Sequence, residues 1–200
     1  MEIEIRAARQ DDEGPIAELM YSSGMDLYDY LYKQRTLDFL RYEFDTGKGF
    51  AGYPNVTVAL LEGEVVGTGC FYDRDNYEAL VNGTMKNMLG YFGPIKIIPV
   101  AMRARHVGSV VRTPKPGELY LSNFGVVDRV RSQGIGSKMI RFKLEQARKS
   151  GYTIFGLDVS SANPRGQALY ARLGLRVQKE KTFSAKNSGV KPARKMELTL

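Results

Sequence analysis

The chain has 200 residues, 43% of them hydrophobic, which is enough to bury one sizeable core and reads most simply as a single domain over 1–200. No stretch approaches the roughly 18 consecutive apolar residues of a membrane helix, and the start Met1-Glu2-Ile3-Glu4 lacks the basic and apolar regions of a signal peptide, so a cytoplasmic protein with no membrane partner is expected. One cysteine excludes an internal disulfide framework, one histidine argues against a clustered metal site, and the net charge of +7 leaves anionic ligands open.

In chain order, Ile3-Glu4-Ile5 alternates as an opening strand, and Asp11-Asp12-Glu13 before Pro15 reads as the capped start of a helix carrying Ile16, Leu19 and Met20. A second helical region runs from about 26 to 44, on the spacing of Leu27, Leu31, Leu37, Leu40 and Phe44, until residues 47–54 break it. Residues 56–61 and 65–72 flank the turn Glu62-Gly63-Glu64 as an antiparallel hairpin, in which Cys70 reads as a small core hydrophobe. Residues 75–89 are helical in pattern. Residues 90–116 hold Pro94, Pro99, Pro114 and Pro116 around an apolar stretch, 95–102, and read as irregular. Strand 119–127 then leads through a glycine loop into a helix whose buried stripe is Met139, Ile140, Leu144 and Ala147, ended by Ser150-Gly151. Strand 152–159 follows at once, and a strand, helix, strand crossover of this length implies parallel pairing with the loop at the carboxyl ends of the strands. Asn163 suits the cap of the next helix, Pro164 its first position and Gly174 its end. Residues 176–183 and 195–200 finish as strands around a polar loop at Asn187-Ser188-Gly189.

The glycine loop, Arg131-Ser132-Gln133-Gly134-Ile135-Gly136-Ser137, is the most informative segment. Glycines remove Cβ atoms where a backbone approaches a ligand, and the free N–H groups of a helix's first turn favour a phosphate. Gly136-Ser137-Lys138 inverts the order a Walker loop needs, and Met139 stands where a Rossmann fingerprint requires its third glycine, so both common nucleotide motifs fail. The segment does match Arg/Gln-x-x-Gly-x-Gly/Ala. A second motif follows at matching separation: the strand at 152–159, Asn163-Pro164, Ala168-Leu169-Tyr170 and the closing Leu173-Gly174-Leu175.

On these two linked motifs the chain resembles the GCN5-related N-acetyltransferase (GNAT) superfamily. The likeness covers the acetyl-CoA core at 118–175 well, the strands at 3–6, 56–61 and 65–72 loosely, and 74–116 hardly at all, which makes that region an insertion near the substrate cleft. The resemblance implies an α/β fold, a single-domain mixed central sheet of about six or seven strands flanked by helices, with splayed parallel strands at the acetyl-CoA site. It also implies an acetyl-CoA-dependent N-acetyltransferase moving an acetyl group from coenzyme A to a primary amine by direct attack in a ternary complex, without metal. The pantetheine arm would lie along the backbone of Phe124, Gly125 and Val126. The loop of Arg131, Ser132, Gln133, Gly134, Ile135, Gly136, Ser137 and Lys138 would hold the phosphates, and Asn163 would bond the pantetheine or cap its helix. The N–H of Val126 would hold the developing oxyanion.

Tyr170 occupies the family's tyrosine position as the acid for the departing thiolate, against the plainer reading of a core tyrosine. Many relatives carry a glutamate on the strand leading into the loop, but 119–127 contains no carboxylate, so Glu118 at its start, acting through water, is the side-chain candidate for general base, beside backbone carbonyls draining the proton and the plainer reading of an exposed strand-end glutamate. The want of a base matters most for a lysine-like amine of pKa about 10.4, whose deprotonation at neutral pH costs about 4–5 kcal/mol, against about 1 for an α-amine. Charge fits the cofactor: residues 129–200 carry 16 Lys/Arg against 4 Asp/Glu, whereas residues 1–60 carry 6 against 11. The basic residues are scattered without interleaved stacking aromatics, so nucleic acid is not expected as a partner. The acceptor's identity is open from the sequence, as is oligomeric state, a homodimer included. A catalytically silent acyl-CoA-binding or regulatory domain is the alternative function.

Overall fold

The computed structural model describes residues 2–12 and 14–200. Strand β1 (Glu4–Ala7) is followed by helices α1 (Ile16–Ser22), α2 (Met25–Tyr32) and α3 (Thr36–Thr46), then by the hairpin β2 (Val56–Leu61) and β3 (Glu64–Tyr72). The long helix α4 (Arg74–Ala104) precedes β4 (Glu118–Val126), α5 (Ile135–Lys149), β5 (Ile154–Ser160), α6 (Pro164–Arg172), β6 (Arg176–Lys181) and β7 (Ala193–Thr199). The strands form one seven-stranded sheet in the order β1-β2-β3-β4-β5-β7-β6. All neighbours are antiparallel except β4 and β5, the pair joined through α5. Helices cover both faces: α1 and α3 bury Ile16, Met20, Leu40 and Phe44 on one side, and α5 and α6 bury Ile140, Leu144, Ala147 and Tyr170 on the other. The expected mixed α/β sheet is thus present with seven strands.

Local chemistry explains where the elements depart from the sequence pattern. Asp12 does not cap α1: its carboxylate is taken by Arg6, at 2.6 and 2.8 Å, and by the N–H of Arg9, while Glu13 lies outside the described residues. The helical region at 26–44 is two helices, because Lys33 adopts φ +58° and turns the chain between α2 and α3. The hairpin turn places Glu62 and Gly63 at φ +52° and +82°, the left-handed pair that two-residue hairpins prefer. Region 90–116 is more helical than its prolines suggest. Asp73 starts α4 with a reciprocal capping box to Asn76, the helix kinks at Gly93 (φ +72°), and Pro94 opens its second half, where a missing N–H costs nothing.

The sheet is irregular at one place. Parallel pairing of β4 with β5 covers only Glu118–Leu121 against Ile154–Leu157, after which the two strands separate. On the other edge of β4, Thr68 pairs with Gly125 but Cys70 with Ser122, so Asn123 and Phe124 together oppose Gly69 in a bulge, with Asn123 at φ +50°. This bulge and the splay open the fork in which the site lies.

Candidate active site

One flank of the fork is the start of α5. Ser132 and Gly134 both adopt positive φ, +65° and +84°, which aims the unpaired N–H groups of the first helical turn outward. A Cβ on Gly134 would meet nothing within 4 Å, so the glycine serves backbone conformation; one on Gly136 would press on Leu169 and Phe124 at 3.3 and 3.4 Å. Ser132, Gln133 and Lys138 are exposed beside this turn, and Ser137 is half-buried. Ile135 buries its side chain against Met139 and Val66 and leaves only its backbone to the loop. Arg131 is engaged inward: its Nε donates to the carbonyl of Val126 at 3.0 Å and its guanidinium pairs with Asp128 at 2.6 Å.

The unpaired edge of β4 forms the other flank. Val127 donates its N–H to Val66 of β3, so strand alternation turns the N–H and C=O of Val126 toward the fork. Gly125 is required for another reason than ligand approach: a Cβ there would stand 2.5 Å from the carbonyl oxygen of Leu19, because α1 crosses closely over the strand. Asn163 caps α6 through a 2.8 Å bond from the N–H of Gly166, and its residue also lines the fork.

Tyr170 reaches the fork from α6. Its ring stands 6.5 Å from that of Phe124, its hydroxyl makes no hydrogen bond among the described residues, and burial alone pushes its phenol well above the ordinary value. Such a phenol keeps its proton until a strong base appears.

Glu118 is elsewhere. Its side chain is fully buried, clamped bidentately by Arg112, with the N–H of Lys115 adding a 2.8 Å bond to Oε2, and it does not line the fork. The expectation that it serves as general base is overturned, since both oxygens are already committed to holding the 112–115 segment against the sheet.

A carboxylate that sequence reasoning passed over stands nearer. Asp158 is the first residue of β5 beyond the paired region, lines the fork, and is held by the hydroxyl of Tyr120 at 2.9 Å and by Lys181 at 3.2 Å. Its signal in the sequence was an acid inside the otherwise apolar run at 154–159, which buried strands tolerate only with partners.

The fork continues into a chamber between the sheet and helices α2, α3 and α4, the two together enclosing about 420 Å³. Aromatic rings wall it: Tyr72 lies 5.1 Å from Tyr120 and 5.0 Å from Phe50, and Tyr28 stacks on Tyr32 at 6.2 Å. Glu43 of α3, also missed from sequence, is buried in this wall, accepts a short hydrogen bond from Thr84 of α4, and has its carboxyl raised to about 7 by burial. Cys70 lies behind the bulge with its thiol pushed up to about 12 by burial, in keeping with a core residue and not a nucleophile.

A ligand that fits this geometry is long, anionic where it meets the start of α5 and reactive where it reaches Tyr170, and those are the properties of an acyl-coenzyme A; the fold and site define an acyl-CoA-dependent transferase. The chain belongs to the acetyltransferase (GNAT) family, whose sequence pattern matches residues 24–175, and is accordingly an N-acetyltransferase that uses acetyl-CoA. Among solved structures, an N-acetyltransferase from Staphylococcus aureus is similar at a TM-score of 0.73 and 18% identity, over 98% of this chain and 100% of that one. A putative acetyltransferase from Salmonella typhimurium, yncA, with its cofactor acetyl-CoA, is similar at 0.55 and 17%, over 99% and 94%. A ribosomal-protein-alanine N-acetyltransferase from Brucella melitensis is similar at 0.55 and 16%, over 98% and 99%. At these identities the likeness is one of fold. No curated protein matches the chain in sequence.

Proposed function

We propose that the enzyme acetylates a primary amine by direct attack within a ternary complex, the acceptor entering from the aromatic chamber and the cofactor lying along β4 and the start of α5. Acetyl-CoA, when bound, supplies the thioester carbonyl. The first-turn N–H groups of Ile135, Gly136 and Ser137, with Gly134 setting the turn, hold its phosphates, helped by the exposed Ser132, Gln133 and Lys138. Phe124, Gly125 and Val126 offer the unpaired strand edge to the pantetheine, and Asn163 adds an amide beyond its capping bond. Arg131 acts indirectly, holding the Val126 carbonyl and so the end of β4, whose Val126 N–H donates to the thioester carbonyl oxygen as negative charge develops there.

Two proton transfers remain. Asp158, fixed by Tyr120 and Lys181, takes the proton released by the amine, directly or through a water; it replaces Glu118 in this role. Tyr170 gives its proton to the departing sulfur. A phenol raised by burial is a reluctant acid, yet a thiolate leaving into the same desolvated fork is a correspondingly strong base, so the two shifts partly cancel. The single observation that carries the reading is Tyr170 lining the fork beside Phe124 with a hydroxyl that has no hydrogen-bond partner among the described residues.

The test is thiol release from acetyl-CoA with a panel of primary amines, with N-acetylated product identified by mass spectrometry. Product formation by at least one amine class is expected. Calorimetric binding of acetyl-CoA with no acetylated amine from any class would leave a silent acyl-CoA-binding domain instead.

A further inference from the structure

The chamber beyond the fork carries information on the acceptor. Its rim is bridged: the N–H of Lys191, in the β6–β7 connection, donates to the carboxylate of Asp26 at the start of α2 at 2.8 Å. Leu27 and Tyr30 of α2 pack beside it on the cluster around Val110 and Phe183. A polypeptide extending away from a reacting terminal amine would run into this bridge. Inside, the wall is mainly hydrocarbon and aromatic faces with a few neutral polar groups such as Thr84, Ser122 and Asn123, and the carboxylates buried in it are those of Glu43 and Asp158. The cation among the described lining residues, Lys191, is exposed at the rim, while Lys181 and Arg112 are spent on Asp158 and Glu118.

We infer that the acceptor is a compact primary amine on an aromatic or branched apolar body that carries no carboxylate, an arylalkylamine in chemical class. The inference rests on the reading of this site as an amine N-acetyltransferase. An ammonium group gains from the ring faces and from the carboxylate of Asp158. An apolar body gains from the chamber, which with the fork encloses about 420 Å³, within the usual range of small-molecule sites, part of which the acetyl end fills. A carboxylate on the acceptor would be buried with no free cation to meet it, Lys181 and Arg112 being already engaged, which disfavours free amino acids. The distal ammonium groups of a polyamine would lose their hydration against rings and methyl groups along most of the wall.

The experiment is calorimetry on the full chain saturated with coenzyme A, so that binding is read without turnover, using 2-phenylethylamine, phenylalanine, spermidine and an alanine-initiated tetrapeptide. 2-Phenylethylamine is expected to bind at least about a hundredfold more tightly than phenylalanine, the loss expected from burying an unpaired carboxylate. Equal or tighter binding of phenylalanine, spermidine or the peptide would overturn the acceptor class. Formation of the 2-phenylethylamine complex without thiol release from acetyl-CoA would uphold the class and overturn the transfer reaction. Val81→Trp, which fills the chamber from α4, is expected to abolish amine binding and spare coenzyme A; undiminished amine binding in that variant would show that the chamber is not the acceptor site.

Discussion

Glu118 and Asp158 lie on adjacent strands, yet only Asp158 faces the fork. Glu118 is spent on Arg112, so Glu118→Gln should leave the pH–rate profile unchanged while costing stability, about 3 kcal/mol for a buried ion pair deprived of one charge. Asp158→Asn should instead lower kcat about a hundredfold, the usual worth of a positioned base. Steady-state rates across pH beside urea unfolding of both variants check this; an unchanged kcat in Asp158→Asn would remove Asp158 from the chemistry. The contrast also shows what the sequence could carry. Asn163 and Gly134 were legible because local spacing put them at a helix cap and in a glycine loop, and Tyr170 because the family motif carries a tyrosine at its place on α6. Glu43 and Asp158 were not, because their roles depend on partners far along the chain: Thr84 for one, Tyr120 and Lys181 for the other.

Among elements, α5 and α4 determine the two ends of the site. The loop before α5 needs φ +84° at Gly134, a value closed to proline, so Gly134→Pro should abolish acetyl-CoA binding by calorimetry; retained affinity would refute the loop's role. α4 is pinned to α3 by the Glu43–Thr84 bond, and this contact has a pH signature. The Glu43 carboxyl releases its proton at about 7 in the folded protein and at about 4.5 when unfolded. Folding therefore retains a proton between those values, and stability falls as pH rises through that window and is level above it. Urea unfolding should show wild type losing about 3 kcal/mol relative to Glu43→Gln between about pH 4.5 and about pH 7.5. An identical pH dependence in the two proteins would contradict the buried, protonated carboxyl. The hairpin, the α5 crossover and the closing strands were readable from alternation, caps and glycines. The second half of α4 was not: Gly90, Gly93, Pro94 and Pro99 argue locally against a helix, and packing of Met88 and Val100 onto Phe39 and Tyr32 overrides them.

For the whole molecule, residues 129–200, rich in Lys and Arg, carry the glycine loop, and residues 1–60, rich in Asp and Glu, contribute α2 and α3 to the chamber, so the two unequally charged parts of the chain meet at one cleft. Coenzyme A, with several phosphates, should feel that field over distance, so the KM for acetyl-CoA is expected to rise severalfold between about 0.05 and about 0.5 M NaCl as screening grows. A KM independent of salt would mean that the phosphates are held by backbone N–H groups alone. The central claim, amine acetylation at the fork with Tyr170 as acid, is tested most directly by Tyr170→Phe, with kcat from thiol release and acetyl-CoA affinity from calorimetry on the same sample. The account predicts a kcat lower by about a hundredfold or more with affinity within about twofold of wild type. An unchanged kcat would contradict it.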